Sequence, residues 1–285
     1  MIYESAQQWN KAKNKNVLIF GMSGLGKTHL SKLLRKSGGW FHYSVDYRIG
    51  THYMGEHIVD NVKLKAMENA FLANLLKTDS IYIRSNITFE NLAPLSTYLG
   101  QPGAEISGGL NYQEYVKRQN QHLEAEKAAM LDTVHFIDKA RNLYNYPNFI
   151  CDSSGSLCEI VDPNDPNDFI LNELSKNLLL LWIEGDENHN NVLKNRFKKD
   201  PKPMYYNPML LNESWNAFKK LNASQDDEVD PNAFAIYAYE KAISARQPKY
   251  RAICNKWGVS ITASEVSTIT SLEDFDTLIA KALNR

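Results

Sequence analysis

The chain has 285 residues, 43% of them hydrophobic, so it can bury a substantial core without disulfide or metal staples. A formal net charge of −1 gives no general attraction for nucleic acid or for an anionic membrane. Three unevenly spaced cysteines, Cys151, Cys158 and Cys254, fit buried thiols in a reducing compartment better than a disulfide framework or a zinc site. The N-terminus is too polar for a signal peptide, and the longest aliphatic run, residues 178–183, is too short for a membrane span. A cytoplasmic protein with no membrane partner is expected.

Residues 1–16 read as a polar lead-in with a short helix. Residues 17–20 (VLIF) are wholly apolar, the pattern of a strand buried on both faces of a parallel sheet. Gly21, Gly24, Gly26, Lys27 and Thr28 then complete G-x-x-x-x-G-K-[ST], and Leu30, Leu33 and Leu34 mark one face of a helix that stops at Gly38-Gly39. Residues 40–45 (WFHYSV) read as a second strand closing on Asp46. Helical spacing covers 61–76, and 80–85 (SIYIRS) alternates like a strand. Residues 91–109 read as a connection with a short helix. Residues 112–144 read as a long helix, broken near Asp132-Thr133.

Residues 149–152 (FICD) form another strand ending on a carboxylate, followed by Ser153-Ser154-Gly155-Ser156. The turn-rich loop 162–168 lacks the central glycine of a calcium loop. Residues 178–183 are a further buried strand and 186–199 a helix. Asp230 and Pro231 open another helix, to about Ala245. A short strand at 259–262 and a last helix capped by Ser271-x-x-Asp274 complete the chain. The expected fold is α/β: a single domain over 1–285, its parallel sheet flanked by helices around the phosphate-loop motif, with a mainly helical insertion at 88–147.

The glycine-rich turn carries the chemistry. Glycines let backbone N–H groups turn inward, and the helix N-terminus adds its positive dipole end, which together cradle phosphate oxygens. The expected nucleotide-binding segment runs from Gly21 through Met22, Ser23, Gly24, Leu25, Gly26, Lys27 and Thr28 to His29. Lys27 would reach the β/γ-phosphates, while Thr28 and Asp152 would hold Mg²⁺. The run His52-Tyr53-Met54-Gly55-Glu56-His57 is one residue too long for an inverted zinc-peptidase motif, and no nucleophile elbow is present.

With these pieces in order, the chain resembles the small-molecule kinase branch of the P-loop NTPases, the shikimate and gluconate kinases in particular. It is also similar to a group of bacterial proteins known only as P-loop ATPases. The matching residues are GMSGLGKT, Asp46 in HYSVDYRIG, Asp152 to Ser156, Arg196 and Lys202-Pro203 in RFKKDPKP, and Arg246-Gln-Pro248-Lys-Tyr250. The resemblance implies that Asp46 and Arg246 face the phosphate acceptor, and that Arg196 and Lys202 close over the nucleotide. It covers only part of the chain. Lys202-Pro203 stands where those kinases have Arg-Pro, Ser-Ser-Gly reduces their glycine triplet, and residues 88–147 and 204–245 have no counterpart.

The activity expected is transfer of the γ-phosphate of ATP, with Mg²⁺, to a small acceptor. Asp46 would orient or deprotonate the acceptor hydroxyl, and Arg48 and Arg84 sit where an anionic acceptor could dock. Arg196 would neutralise transition-state charge, a role worth about 10³–10⁵ in rate. The alternative is an ATPase or nucleotide-dependent switch acting with a protein partner. Phosphorylation of a nucleic-acid end is disfavoured by the neutral charge, and the sequence leaves the oligomeric state open.

Overall fold

The computed structural model describes all residues, Met1–Arg285. Five strands form an all-parallel sheet: β1 Asn16–Phe20, β2 Trp40–Ser44, β3 Asn148–Asp152, β4 Leu179–Glu184 and β5 Gly258–Thr262, in the spatial order β2-β3-β1-β4-β5. The helices are α1 Ala6–Lys11, α2 Lys27–Lys36, α3 Val45–Arg48, α4 Gly55–Met67, α5 Ala70–Lys77, α6 Ala93–Leu99 and α7 Tyr112–Asn142. After β3 come α8 Leu157–Ile160, α9 Phe169–Asn177, α10 Glu187–Lys199, α11 Pro208–Asn222, α12 Pro231–Trp257, α13 Ala263–Ser267 and α14 Leu272–Ala282.

The chain divides into two compact units. A sheet unit comprises Met1–Val45, Lys127–Pro201 and Ile236–Arg285, and a helical unit comprises Asp46–Glu126 and Lys202–Ala235. Residues 88–126 of the expected insertion belong to the helical unit and 127–147 to the sheet unit.

In the sheet unit, β1 is buried along its whole length because β3 and β4 pair with both its edges. The edge strand β2 is covered by aromatic packing: Phe41 stacks on Phe149 at 5.8 Å and Tyr43 meets Phe136 of α7 at 4.9 Å. Below the sheet, Phe275 of α14 gathers Trp9 and Trp40 edge-on. The helical unit has its own core, in which Trp215 stacks on Tyr112 at 4.5 Å and meets Phe234 edge-on.

Several expected elements change form. The second strand ends at Ser44, and Asp46 lies in the first turn of α3, which runs into a π-helical turn at Ile49–Tyr53. The helix expected over 61–76 is two helices, because the Asn69 side chain accepts from Phe71 N and Leu72 N and starts α5 afresh. Residues 80–85 form no strand, for no neighbouring strand offers a ladder. α7 is unbroken; Thr133 is buried beside Cys151 Sγ at 3.8 Å, so packing outweighs its modest helix preference. α12 continues through Pro248 to Trp257, since Arg246, Tyr250 and Ile253 bury one continuous stripe that repays the lost backbone bond.

Candidate functional site

Parallel strands put their carboxyl ends on one edge of the sheet, and ligands bind where neighbouring strands send their chains to opposite sides. The chain leaves β1 toward β2 but leaves β4 toward β5, so the parting lies between β1 and β4. The turn after β1 sits there. Gly21, at φ +135°, lies so close to β4 that a Cβ would stand 2.7 Å from the Ile183 carbonyl oxygen. Gly24 and Gly26 also take left-handed φ values, +89° and +102°. Gly26 is the N-cap of α2, and no side chain caps that helix. Its first N–H groups and positive dipole end are thus available to an anion.

Lys27, the first residue of α2, is buried, and its Nζ donates to Gly21 O at 2.8 Å and Met22 O at 3.0 Å. Met22 and Leu25 are buried, whereas Ser23, Gly24, Thr28 and His29 are exposed. The turn therefore hides its apolar side chains and shows its backbone.

Asp152 ends β3 in register with Ile19 of β1. Burial pushes the Asp152 carboxyl up, against the lowering pull of the Lys27 charge and the nearby Thr28 hydroxyl. His42 Nε2, on β2, stands 3.9 Å from Asp152 Oδ2.

The segment after β3 is held against the glycine turn. Ser153 N donates to Ile19 O at 3.1 Å, and a Cβ on Gly155 would meet Ser23 N at 3.4 Å. The Tyr250 hydroxyl donates to Gly155 O and lies 3.7 Å from Met22 Sδ. One turn earlier on α12, Arg246 Nε donates to Glu159 Oε1 at 2.8 Å, with both side chains almost wholly buried. Burial opposes the Arg246 charge, yet Glu159 and the neighbouring Tyr250 and Cys158 drive its pKa well above the usual value. The buried Cys158 thiol is pushed up to about 12 and is inert as a nucleophile.

The sheet unit therefore brings together the segment Gly21–His29 and Asp152, with Arg246 buried behind them. Arg196, expected on a lid, is exposed on α10; the neighbouring Phe197 stacks on Tyr239 at 3.9 Å and Lys198 pairs with Glu240 at 2.8 Å. Asp46, Arg48, Arg84 and Lys202 belong to the helical unit. There Asp46 and Arg48 are half-buried, with the Arg48 guanidinium over the Tyr53 ring at 5.5 Å, and Arg84 and Lys202 are exposed. Sequence reasoning passed over His42 and Glu159. A histidine inside an apolar strand and a glutamate directly after a serine-rich turn were the signals available.

No known family model matches the chain, and no curated protein matches it. No helix is long and apolar enough to cross a membrane.

Proposed function

We propose that the protein is an ATP- and Mg²⁺-dependent phosphotransferase acting on a small acceptor. The observation that carries this reading is the glycine turn at the parting of β1 and β4, with the Lys27 ammonium at its base and the buried Asp152 at the end of the adjacent strand β3. The all-parallel sheet with flanking helices is compatible with the kinase-like fold that the sequence resembles.

The residues fit the implied metal. Thr28 and Asp152 offer oxygen only, and no group of three His, Cys, Asp or Glu side chains is placed to hold an ion. Such a pair suits Mg²⁺, which keeps water and takes phosphate oxygens as its other ligands. When bound, Mg²⁺ neutralises charge on the phosphates. Phosphoryl transfer otherwise asks for positioning and electrostatics. The N–H groups opening α2 would hold the donor phosphates, and Lys27 would exchange its two carbonyl partners for phosphate oxygens. Asp46 would orient or deprotonate the acceptor hydroxyl, and Arg196 would add positive charge as α10 closes. The resemblance assigns Lys202 to the nucleotide as well, and Arg48 would meet an anionic acceptor.

One observation favours a second reading. Arg246, which the resemblance directs at the acceptor, is sealed against Glu159 and ties α12 to α8 instead. That suits an ATPase or nucleotide-dependent switch with a protein partner.

Binding of a fluorescent ATP analogue and ATP turnover test both readings. Lys27→Ala should lower nucleotide-dependent turnover by about 100-fold or more; a fully active variant overturns both. Turnover that rises with one metabolite from a panel, and is lost in Asp46→Asn with nucleotide affinity intact, supports the phosphotransferase. Stimulation by a macromolecule alone supports the switch.

A further inference from the structure

The helical unit contains a cavity of about 350 Å³ bounded by α4, the segment 83–86 and the start of α6. Its walls are apolar where Ile58 and Val62 of α4 face Ile83 and Pro94. Its polar groups are Arg84, Ser85, Thr97, three asparagines and Tyr98, whose hydroxyl donates to Gln121 Oε1, and no aspartate or glutamate lines it. Arg84 is therefore the one charged side chain lining it.

The side chain of Asn61 has a fixed orientation. Arg118 Nη2 donates to Asn61 Oδ1 at 2.9 Å, so the carbonyl side of that amide is engaged and its NH₂ is left as the donor to the cavity. Arg118 is itself buried, donates to Tyr98 O, and lies over the Tyr98 ring at 4.6 Å. Glu114 accepts from Arg118 Nε at 2.9 Å but does not line the cavity. The polar groups therefore include two donors, the Arg84 guanidinium and the Asn61 NH₂, beside the Ser85 and Thr97 hydroxyls, which can donate or accept.

We propose that this cavity binds a small organic carboxylate with an apolar body. A planar carboxylate matches the fork of Arg84, and the apolar part would cover Ile58, Val62 and Pro94. The volume lies in the range of small-molecule sites. This site stands independently of nucleotide binding in the sheet unit.

Titration of the full chain by ligand-observed NMR tests it directly, with benzoate and hexanoate as probes and benzamide and hexanamide as neutral counterparts. The acids should bind at least tenfold more tightly than the amides, as expected for a charge-assisted hydrogen bond. Arg84→Gln should weaken the acids about tenfold and remove the preference. Val62→Trp and Thr97→Trp, both at exposed positions, should block acids and amides alike. Equal binding of acid and amide, no binding of either acid to the wild-type chain, or an Arg84→Gln variant with unchanged acid affinity would each overturn the proposal.

Discussion

Residues 17–20 and residues 80–85 both read as strands, yet only the first became one. Val17 to Phe20 are apolar on both faces, and β3 and β4 supply a ladder on each side. In the second stretch Ile81 and Ile83 are half-buried while Tyr82 and Arg84 are exposed, so the alternation is obeyed without any ladder. Side-chain periodicity decides which way residues face; a strand also needs a neighbour to pair with its backbone. The difference extends to chemistry. The turn after β1 is locked by β4, α10 and α13, whereas Arg84 stands exposed at a cavity rim.

The contrast implies that substitutions at the locked edge are costly and those at 80–85 are not. The largest effect should come from Glu159→Gln, which removes the carboxylate that faces the buried Arg246 charge, at about 3–5 kcal/mol. Urea unfolding measures it, and a cost under about 1 kcal/mol would show that the edge is not locked. Gly21→Ala comes next. Its Cβ meets a backbone carbonyl at an unfavourable φ, so a loss of about 2–4 kcal/mol is expected, together with weaker nucleotide binding.

A smaller effect is visible in acid. Glu265, beside the Val266 that packs on Gly26, accepts from Arg285 and Thr262, and these bonds hold its carboxyl at about 2. The unfolded chain takes up that proton first, so stability is fully present above the ordinary value of 4.5 and drains away as pH falls toward 2. Solvent screening limits the contribution to about 1 kcal/mol or less. Urea midpoints at pH 5 and pH 3 should differ less for Glu265→Gln than for the wild type. The smallest change belongs to the other region: Tyr82→Ser, at a side chain 85% exposed, should alter stability by under about 0.5 kcal/mol. A larger loss on thermal unfolding would mean that 80–85 carries packing its exposure does not reveal.

Much of the sheet unit was legible from residue order alone. The apolar runs became β1, β3 and β4, and Asp230 with Pro231 opened α12, with Ala233 N donating to the Asp230 carboxylate. Ser271 and Asp274 formed their reciprocal cap at α14. The glycine turn adopted the left-handed angles that its composition permits. These are local matters, settled by whether a few consecutive residues prefer water, a cap or an unusual φ.

What the tertiary structure alone decided concerns partners distant in sequence. Asp46 was read as the end of a strand but lies on α3, because β3 gives β2 pairing only as far as Ser44. Pro248 was read as lying beyond a helix end, but α12 runs through it to bury Arg246 on Glu159 and Tyr250 beside Met22. Local propensities differ by tenths of a kcal/mol per residue, while burying one large side chain contributes about 1.5–3. Where the two disagree, burial wins, and no window of neighbouring residues reveals which surface will be there to meet it.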